Sequence, residues 1–561
     1  MAEAELAERV LRKLHETGCK VVTAHGSEYD GYRRVWNAAV DVRPACVVVP
    51  QSADEVAAVV SALWSLGVAV TVRGGGHSVR GLCVAEGSVC IDLRELVDVK
   101  IGSSGPGTVL VGGGATWADV DRVLEPHGVT VPAGLISHTG VGGLALGGGV
   151  GWLARRAGLT ADAIVGAQMV LVGGDVVGLG VLEHTGDETE PEIPRDELLW
   201  ALQGGGGNFG IVTQFAFSTV QLGKAGLVMV TLPMESLAGV LRLVAGWVDP
   251  HSSEAAPDTV VPYTFVLSQG VVLVAIGCMD DGVAARGLAS ASLGRYVGAL
   301  IELGGELTLD TVVSPRELNA MFDAGNPHGK HYRWSASTFL DTGCVTASAD
   351  AFATGLAELA STAAQYLVGA TASIELVPLG GAVARVADGE TAWPLRSAGL
   401  EMHGIATWEE SAESDKLSGA ARAWAHRVAQ HAETVAYNRE APQGYANTDG
   451  DESGARWRSG PSGRLAAIKN EVDMHNFWHG NHNVLPTHSR TWIRLSADDI
   501  AAADAGIDAE LEAFDALDAE HAEGGAGPQR LETLWLPWML LHLGVVGSIA
   551  SVLWATGTLR M

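Results

Sequence analysis

Three glycine-rich runs constrain this chain more than any other feature, because each glycine fixed in a regular element gives up extra backbone entropy. The first is Thr71-Val-Arg-Gly-Gly-Gly-His-Ser-Val-Arg-Gly-Leu82, which interrupts a strand-like apolar run, Val68–Val72. Without Cβ atoms, Gly74, Gly75 and Gly76 can take positive φ and bring N–H groups close to an anion. His77 stands at the loop exit beside Ser78. Read alone, the loop fits an anion cradle and equally a tight turn with a satisfied surface histidine.

The second run is Ile136-Ser-His-Thr-Gly-Val-Gly-Gly-Leu-Ala-Leu-Gly-Gly-Gly-Val-Gly-Trp152. Its glycine content predicts neither helix nor packed strand, and a second ligand-lining loop is expected. The third, Leu198–Thr213, carries Gly205, Gly207 and Gly210 in a literal G-x-G-x-x-G spacing. It follows a predicted helix and precedes a predicted strand, whereas a nicotinamide-type fingerprint needs strand then helix, so a Rossmann reading is rejected.

Around these runs the pattern alternates. Leu6, Val10, Leu11 and Leu14 share one helical face within residues 3–17, and Tyr29–Asn37 is a mixed aromatic and polar entry segment. Arg43-Pro-Ala-Cys-Val-Val-Val-Pro50 reads as a short buried strand between prolines. Ser52-Ala-Asp-Glu55 is a capping box for a helix to Leu66, with Gly67 as its stop. The following strand feeds the first glycine loop, so the loop lies where open α/β sheets bind ligands. Strands are expected at Ser88–Leu93, Thr108–Val111 and Ala163–Val172, with a helix at Trp117–Leu124. Residues 225–440 mix strand-like runs (Gly226–Leu232, Tyr263–Leu267, Val271–Ile276, Ser373–Val377) with helices (Leu237–Trp247, Ala351–Tyr366, Ser414–Ala432), which predicts one sheet under a helical cover.

At 561 residues the chain has room for two or three domains. Its formal charge of −29 argues against a nucleic-acid partner, which needs a basic face. Six cysteines without a C-x-x-C pair suggest reduced thiols in a cytoplasmic setting and no metal site. The opening Met-Ala-Glu-Ala-Glu-Leu-Ala-Glu-Arg is charged and helical rather than like a secretion signal.

Four separated segments agree with one family. They are Arg43-Pro-x-x-Val-Val-Val-Pro50; Arg73-Gly-Gly-Gly-His-Ser78; His138-Thr-Gly-Val-Gly-Gly143 with Gly147-Gly-Gly-x-Gly-Trp152; and Trp200-Ala-Leu-x-Gly-Gly-Gly-Gly-Asn-Phe-Gly-Ile-Val212. Leu465–Val484, with Asp473-Met-His-Asn476 and Asn481-His-Asn483, closes the set. Over roughly residues 25–485 the chain resembles the FAD-linked oxidases of the vanillyl-alcohol oxidase/p-cresol methylhydroxylase (PCMH-type) superfamily, in the bacterial berberine-bridge-enzyme-like branch. The resemblance implies an α+β fold: a PCMH-type FAD-binding domain of two α/β subdomains, and a substrate domain whose large antiparallel sheet is covered by helices. The boundaries expected are 1–224 for the FAD domain (core about 42–221), 225–440 for the substrate domain, 441–490 returning to the FAD domain, and 491–561 as an extra tail.

In that family Arg73, Gly74, Gly75, Gly76, His77 and Ser78 would wrap the FAD pyrophosphate. His77 would be bonded covalently to the flavin 8α-methyl, which suits a neutral imidazole nucleophile. His138, Thr139, Gly142, Gly143, Gly147, Gly149, Trp152, Ile211, Val212, Asn481 and Asn483 are the further cofactor contacts implied. Some relatives add a second link from a cysteine that opens the next glycine loop; here that position is Ile136, so a single linkage at His77 is expected. Tyr445-Ala-Asn-Thr448 matches a Tyr-x-Asn motif, which would make Tyr445 the catalytic phenol facing the flavin and Asn447 a flavin or backbone contact, although Thr448 replaces the usual aromatic. Leu395 stands where the family often has His, which puts an acid–base partner from that loop in doubt. The implied reaction passes hydride from an alcohol, sugar or other small molecule to flavin N5, with oxygen as acceptor. A dehydrogenase using another acceptor and a catalytically silent flavin binder are the alternatives.

After Val484 the resemblance ends. Ser496-Ala-Asp-Asp499 could cap an acidic helix with Ile500, Ile507, Leu511, Phe514 and Leu517 on one face. Leu534–Leu559 carries no charged residue and as a helix would span roughly 39 Å, enough for a bilayer core of about 30 Å. Membrane contact through 534–559 is the expectation, with a buried closure of the fold as the alternative.

Overall fold

The computed structural model describes residues 2–505 except 104, 183–192, 281, 283–287, 330, 412 and 437–462. Helix Ala2–His15 buries Ala7, Val10, Leu11 and Leu14 against a four-stranded sheet. That sheet comprises β1 (Lys20–Thr23), β2 (Cys46–Val49), β3 (Val70–Arg73) and β4 (Val89–Asp92) in the order β1-β2-β4-β3. β4 is parallel to both β2 and β3, and β1 is antiparallel to β2. The crossover from β2 to β3 is helix Ala53–Leu66, which presents Val56, Val59, Val60 and Leu63 to the core. Ser52 Oγ accepts from the Glu55 N–H at 3.2 Å, and Gly67 ends the helix at φ 72°.

A five-stranded antiparallel sheet follows, built from β5 (Val99–Ile101), β6 (Thr108–Gly112), β8 (Ile164–Val170), β9 (Val176–Gly180) and β10 (Ile211–Ser218) in the order β5-β6-β10-β8-β9. A short ribbon pairs β7 (Val129–Thr130) with β11 (Val220–Gln221). Trp117, Val120 and Leu124 of helix Trp117–Leu124 pack here with Phe215 and Phe217 of β10.

The third sheet has seven antiparallel strands: β12 (Ala225–Pro233), β13 (Val260–Leu267), β14 (Val271–Cys278), β15 (Glu306–Val313), β16 (His331–Leu340), β17 (Ala370–Pro378) and β18 (Leu400–Glu409). Their order is β15-β12-β14-β13-β17-β18-β16. Side chains alternate between faces. Ile374, Leu376, Met402 and Ala406 point into a core shared with helices Leu237–Val248, Ser290–Glu302, Ala349–Tyr366 and Ser414–Ala432. The opposite face packs Tyr263, Phe265, Leu273 and Ala275 against Trp152 and Leu153 from the second glycine run.

The second glycine run corrects one expectation, because it contains a short helix, Val141–Leu146. Val141 and Ala145 are fully buried in the core of the five-stranded sheet, and tertiary packing of that apolar edge outweighs the low propensity of Gly142 and Gly143. A second helix, Tyr29–Arg33, lies inside the mixed aromatic and polar entry segment; its Tyr29 side chain is buried. Residues 497–505 are helical and Ser496 Oγ accepts from the Asp498 N–H at 3.1 Å. Ile500 is buried there. Ile507, Leu511, Phe514, Leu517 and the segment 534–559 lie outside the described residues. Among those described, no helix is long and apolar enough to cross a membrane.

Candidate active site

The first two glycine loops meet backbone to backbone. A Cβ on Gly75 would lie 2.4 Å from the Gly140 nitrogen, and one on Gly140 would lie 2.2 Å from the Gly75 nitrogen. No side chain fits at either position, so the glycines are required by this close approach. Gly76 has φ 69°, and a Cβ there would sit 3.0 Å from the Arg73 Nε. Arg73 is buried at the end of β3, donates to the Tyr32 carbonyl, and has its Nε 3.7 Å from a carboxylate oxygen of the fully buried Asp92. It braces the loop from beneath.

The third loop is locked to the closing segment. Asn208 is fully buried; its Nδ2 donates to the carbonyls of Gly205 (2.9 Å) and His482 (3.1 Å), and its Oδ1 accepts from the Val484 N–H (3.0 Å). Lys469 Nζ donates to the Asn208 carbonyl (2.8 Å), to Asp473 Oδ2 (2.6 Å) and to the Trp478 carbonyl (3.2 Å). Asp473 in turn accepts from the Phe477 and Trp478 N–H groups at 2.7 and 2.9 Å. Burial pushes the Lys469 ammonium below its ordinary pKa, and Asp473 opposes that shift. Asn481 Nδ2 donates to the Gly207 carbonyl at 2.5 Å.

These loops surround a cavity of ≈ 390 Å³, a size usual for small-molecule sites. Of the residues singled out in the sequence, Gly74, Gly75, Gly76, His77, Ser78, Thr139, Gly142, Gly143, Gly147, Ile211, Val212 and Asn481 line it, as does Ile136. Others stand behind the wall. Arg73 braces the first loop and His138 hydrogen-bonds His77. A Cβ on Gly149 would meet Thr160 Oγ1 at 2.2 Å. Trp152 is buried with its ring 4.6 Å from Tyr263 and 6.3 Å from Phe322. Asn483 carries a buried Oδ1 with no hydrogen-bond partner among the described residues. Tyr445 and Asn447 lie outside the described residues.

The seven-stranded sheet supplies residues to the same cavity that the sequence reading did not select. Phe265 of β13, Glu375 and Val377 of β17, and Glu401, His403 and Ile405 of β18 all line it, joined by Arg333 of β16. Glu375 pairs with Phe265 and with His403 in register, so period-two alternation puts these side chains on one face. Glu401 is fully buried, with one carboxylate oxygen 3.0 Å from His403 Nε2. Neither Glu401 oxygen has a hydrogen-bond partner of proper geometry among the described residues. Burial alone would push His403 down, but the Glu401 and Glu375 carboxylates outweigh it and hold the imidazole above its ordinary pKa. The available signal was the alternation Leu400-Glu-Met-His-Gly-Ile405, which places two ionisable residues on the second face of an apolar strand.

His77 has a different setting. Its ring stacks on Trp36 with centroids 4.7 Å apart and planes at 18°. Its Nε2 lies 2.7 Å from Nδ1 of His138. Burial, then the neighbouring His138, His328 and Arg333, push His77 well below its ordinary pKa, so the ring is neutral at pH 7.

An FAD group fits these residues. Gly143 lines the cavity and a Cβ there would meet nothing within 4 Å, so the glycine leaves open a space that a side chain would fill. The buried Oδ1 of Asn481, on the cavity wall, wants a donor. The walls combine exposed backbone at the glycine loops with apolar Val70, Leu93, Ile211 and Phe215, as a flat ring system with a polar tail requires.

The FAD binding domain family matches residues 44–180. An FAD-linked oxidoreductase of Dictyostelium discoideum is 26% identical over 329 residues, covering 58% of this chain and 67% of that protein. Other curated relatives, such as the (R)-6-hydroxynicotine oxidase of Paenarthrobacter nicotinovorans, are matched over about half their length or less (51% for that one). The solved 6-hydroxy-D-nicotine oxidase from Arthrobacter nicotinovorans aligns with a TM-score of 0.67 at 25% identity, over 83% of this chain and 98% of that one. A structure of the Acremonium strictum glucooligosaccharide oxidase, described as carrying a 6-S-cysteinyl, 8α-N1-histidyl FAD, aligns with a TM-score of 0.70 at 19% identity, over 86% and 100% of the two chains. Residues 44–180 thus carry an FAD binding domain, and by its fold and its relatives the chain is similar to the FAD-linked oxidoreductases of the vanillyl-alcohol oxidase/PCMH-type superfamily.

Proposed function

We propose that this protein is an oxidase of the berberine-bridge-enzyme-like branch, with FAD bonded through His77 alone, that oxidises an alcohol, sugar or related secondary metabolite. The observation that carries this reading is one cavity shared by two sets of groups. His77 and the glycine loops form its cofactor wall, and Glu375, Glu401 and His403 bring ionisable groups to it from the large sheet. FAD, when bound, supplies the two-electron acceptor. The glycine-loop amides hold its phosphates and the buried walls exclude water. Glu401 and His403 hold the proton released at the substrate carbon's hydroxyl. Tyr445 is proposed, on its motif alone, as the phenol that contacts that hydroxyl.

The single linkage rests on Ile136, an aliphatic side chain on the cavity wall where a second sulfur tether would need cysteine. The glucooligosaccharide oxidase has both its cysteinyl and its histidyl links. Dioxygen is the proposed acceptor, and 534–559 remains a proposed membrane contact. Anaerobic mixing with a panel of alcohols, sugars and phenols tests the reading. A substrate that bleaches the flavin band, followed by one peroxide per turnover on readmitting air, is expected. Bleaching with no peroxide would make the protein a dehydrogenase, and no bleaching across the panel would contradict the enzymatic reading.

A further inference from the structure

We propose that Arg333 selects the substrate, and that the alcohol oxidised here also carries a carboxylate, an inference that rests on the oxidase reading above. Arg333 lies on β16 and lines the cavity. Its Nη1 donates to Asn326 Oδ1 at 2.9 Å, and its Nε is buried with no partner among the described residues. Burial pushes its pKa down and Glu375 opposes that shift, but no ion pair joins Arg333 to a carboxylate among the described residues. A guanidinium stays protonated in a protein, so the wall holds a buried cation that lacks its counterion, a costly arrangement until an anion arrives. The donors left over, Nε–H and those of Nη2, form one edge of the guanidinium. That edge matches the two oxygens of a carboxylate, which it binds through two parallel hydrogen bonds.

The surroundings fix this side chain in place. Its Cζ lies 5.1 Å from the centroid of the Trp36 ring, and Trp36 is itself tied by its Nε1–H to the Asn326 carbonyl at 2.9 Å. Asn326 Nδ2 donates to the Phe322 carbonyl at 2.8 Å, which leaves its Oδ1 for Arg333. The Arg333 main chain is clamped by the buried Asn37: its N–H donates to Asn37 Oδ1 at 2.9 Å and its carbonyl accepts from Asn37 Nδ2 at 3.0 Å. A charge held this way loses little freedom when a ligand binds.

The substrate class follows from how the wall is polarised. Glu401 pairs with Phe339 and Arg333 with Thr407, so acid and base stand toward opposite ends of the β16–β18 pair. Glu401 lies 3.0 Å from His403, and Glu375 accepts from the Ser373 hydroxyl at 3.1 Å, so both carboxylates have neighbours nearer than Arg333. Apolar Phe265, Phe322, Val377 and Ile405 line the same space. A fitting substrate is therefore amphipathic, with its reacting hydroxyl at Glu401 and His403, an apolar body, and a carboxylate on Arg333. An uncharged oligosaccharide would meet the apolar wall and leave the cation without its partner.

The test compares wild type, Arg333→Met and Arg333→Lys, each purified with its flavin. Calorimetry measures binding of cinnamate and of its uncharged analogue cinnamamide, neither of which has a hydroxyl to oxidise. Wild type is expected to bind the acid about 10–100-fold more tightly than the amide, the scale of a charge-assisted pair. Arg333→Met should lose that preference, with amide binding and flavin content unchanged, and Arg333→Lys should keep part of it because an ammonium lacks the fork. In anaerobic mixing, para-(hydroxymethyl)cinnamate should bleach the wild-type flavin at lower concentration than its methyl ester does, and Arg333→Met should abolish the difference. Equal wild-type affinity for acid and amide, or an acid preference that survives in Arg333→Met, overturns the proposal. Loss of flavin from both variants overturns it too, since Arg333 would then be a cofactor ligand. Acid-selective binding that disappears in Arg333→Met, with no bleaching by either alcohol, supports the carboxylate subsite and counts against the oxidase reading instead.

Discussion

A buried carboxylate with no donor costs several kcal/mol unless something charged or hydrogen-bonding approaches it. Glu401 is in that position, beside His403 and facing the cavity. Glu401→Gln is expected to lower the rate of flavin bleaching by substrate by about 10²–10⁴-fold, with flavin content unchanged; stopped-flow absorbance reads the first and acid precipitation the second. Ile136→Cys puts a thiol on the cavity wall. It is expected to add a second flavin bond, seen as covalent flavin retained even in the His77→Ala background. At this scale the sequence was uneven. His77 was singled out because Arg73-Gly-Gly-Gly-His-Ser78, read with the other glycine runs, resembles the flavin loop of one family, although the loop alone fits a tight turn equally well. Glu401 and His403 were not, because the strand Leu400–Glu409 shows its polar face only once its apolar face is known to pack on helices.

Elements are held to one another by a few buried charged groups, and these set two predictions about stability. Lys469 and Asp473 are both fully buried, 2.6 Å apart, and tie the closing segment to the third glycine loop. Lys469→Ala leaves the Asp473 carboxylate without its counterion and should cost about 3–5 kcal/mol, measured as a lower denaturation midpoint and reduced FAD retention. Asp121, on the helix Trp117–Leu124, is buried and accepts from Asn319 Nδ2 at 2.9 Å. Burial raises its pKa from 3.8 to about 6. The folded state then binds the proton more tightly than the unfolded chain, so this group's stabilisation is complete below pH 3.8 and is lost as pH rises through about 6. Asp121→Asn should remove that part of the slope, making the variant gain stability relative to wild type between pH 4 and pH 7, by about 2–3 kcal/mol, read from denaturant unfolding at each pH. Several of the longer helices were legible from periodicity and caps, Ala53–Leu66 with Ser52 and Gly67 above all, whereas Ser290–Glu302 was not expected. Helix Val141–Leu146 was not, since its propensity is poor and only burial of Val141 and Ala145 sustains it.

For the whole molecule, the sheet order carries the argument. β3 ends at the glycine loop, β10 follows the third, and β17 and β18 turn Glu375, Glu401 and His403 toward the same space. The α+β class came from the resemblance, and β15, β16 and β18 escaped notice: β15 is an edge strand with Glu306 and Leu307 exposed, while β16 and β18 turn Arg333, Glu401 and His403 toward the cavity rather than water. Convergence of residues as far apart in the chain as His77 and His403 is not written in local pattern; it came from a resemblance for the cofactor side and from the structure for the sheet side. The central claim is that His77 tethers the flavin. Acid precipitation of purified protein, followed by an absorbance scan of the pellet, tests it directly. The account predicts a yellow pellet for wild type and a colourless one for His77→Ala. A wild-type protein that releases all its flavin to the supernatant would contradict it.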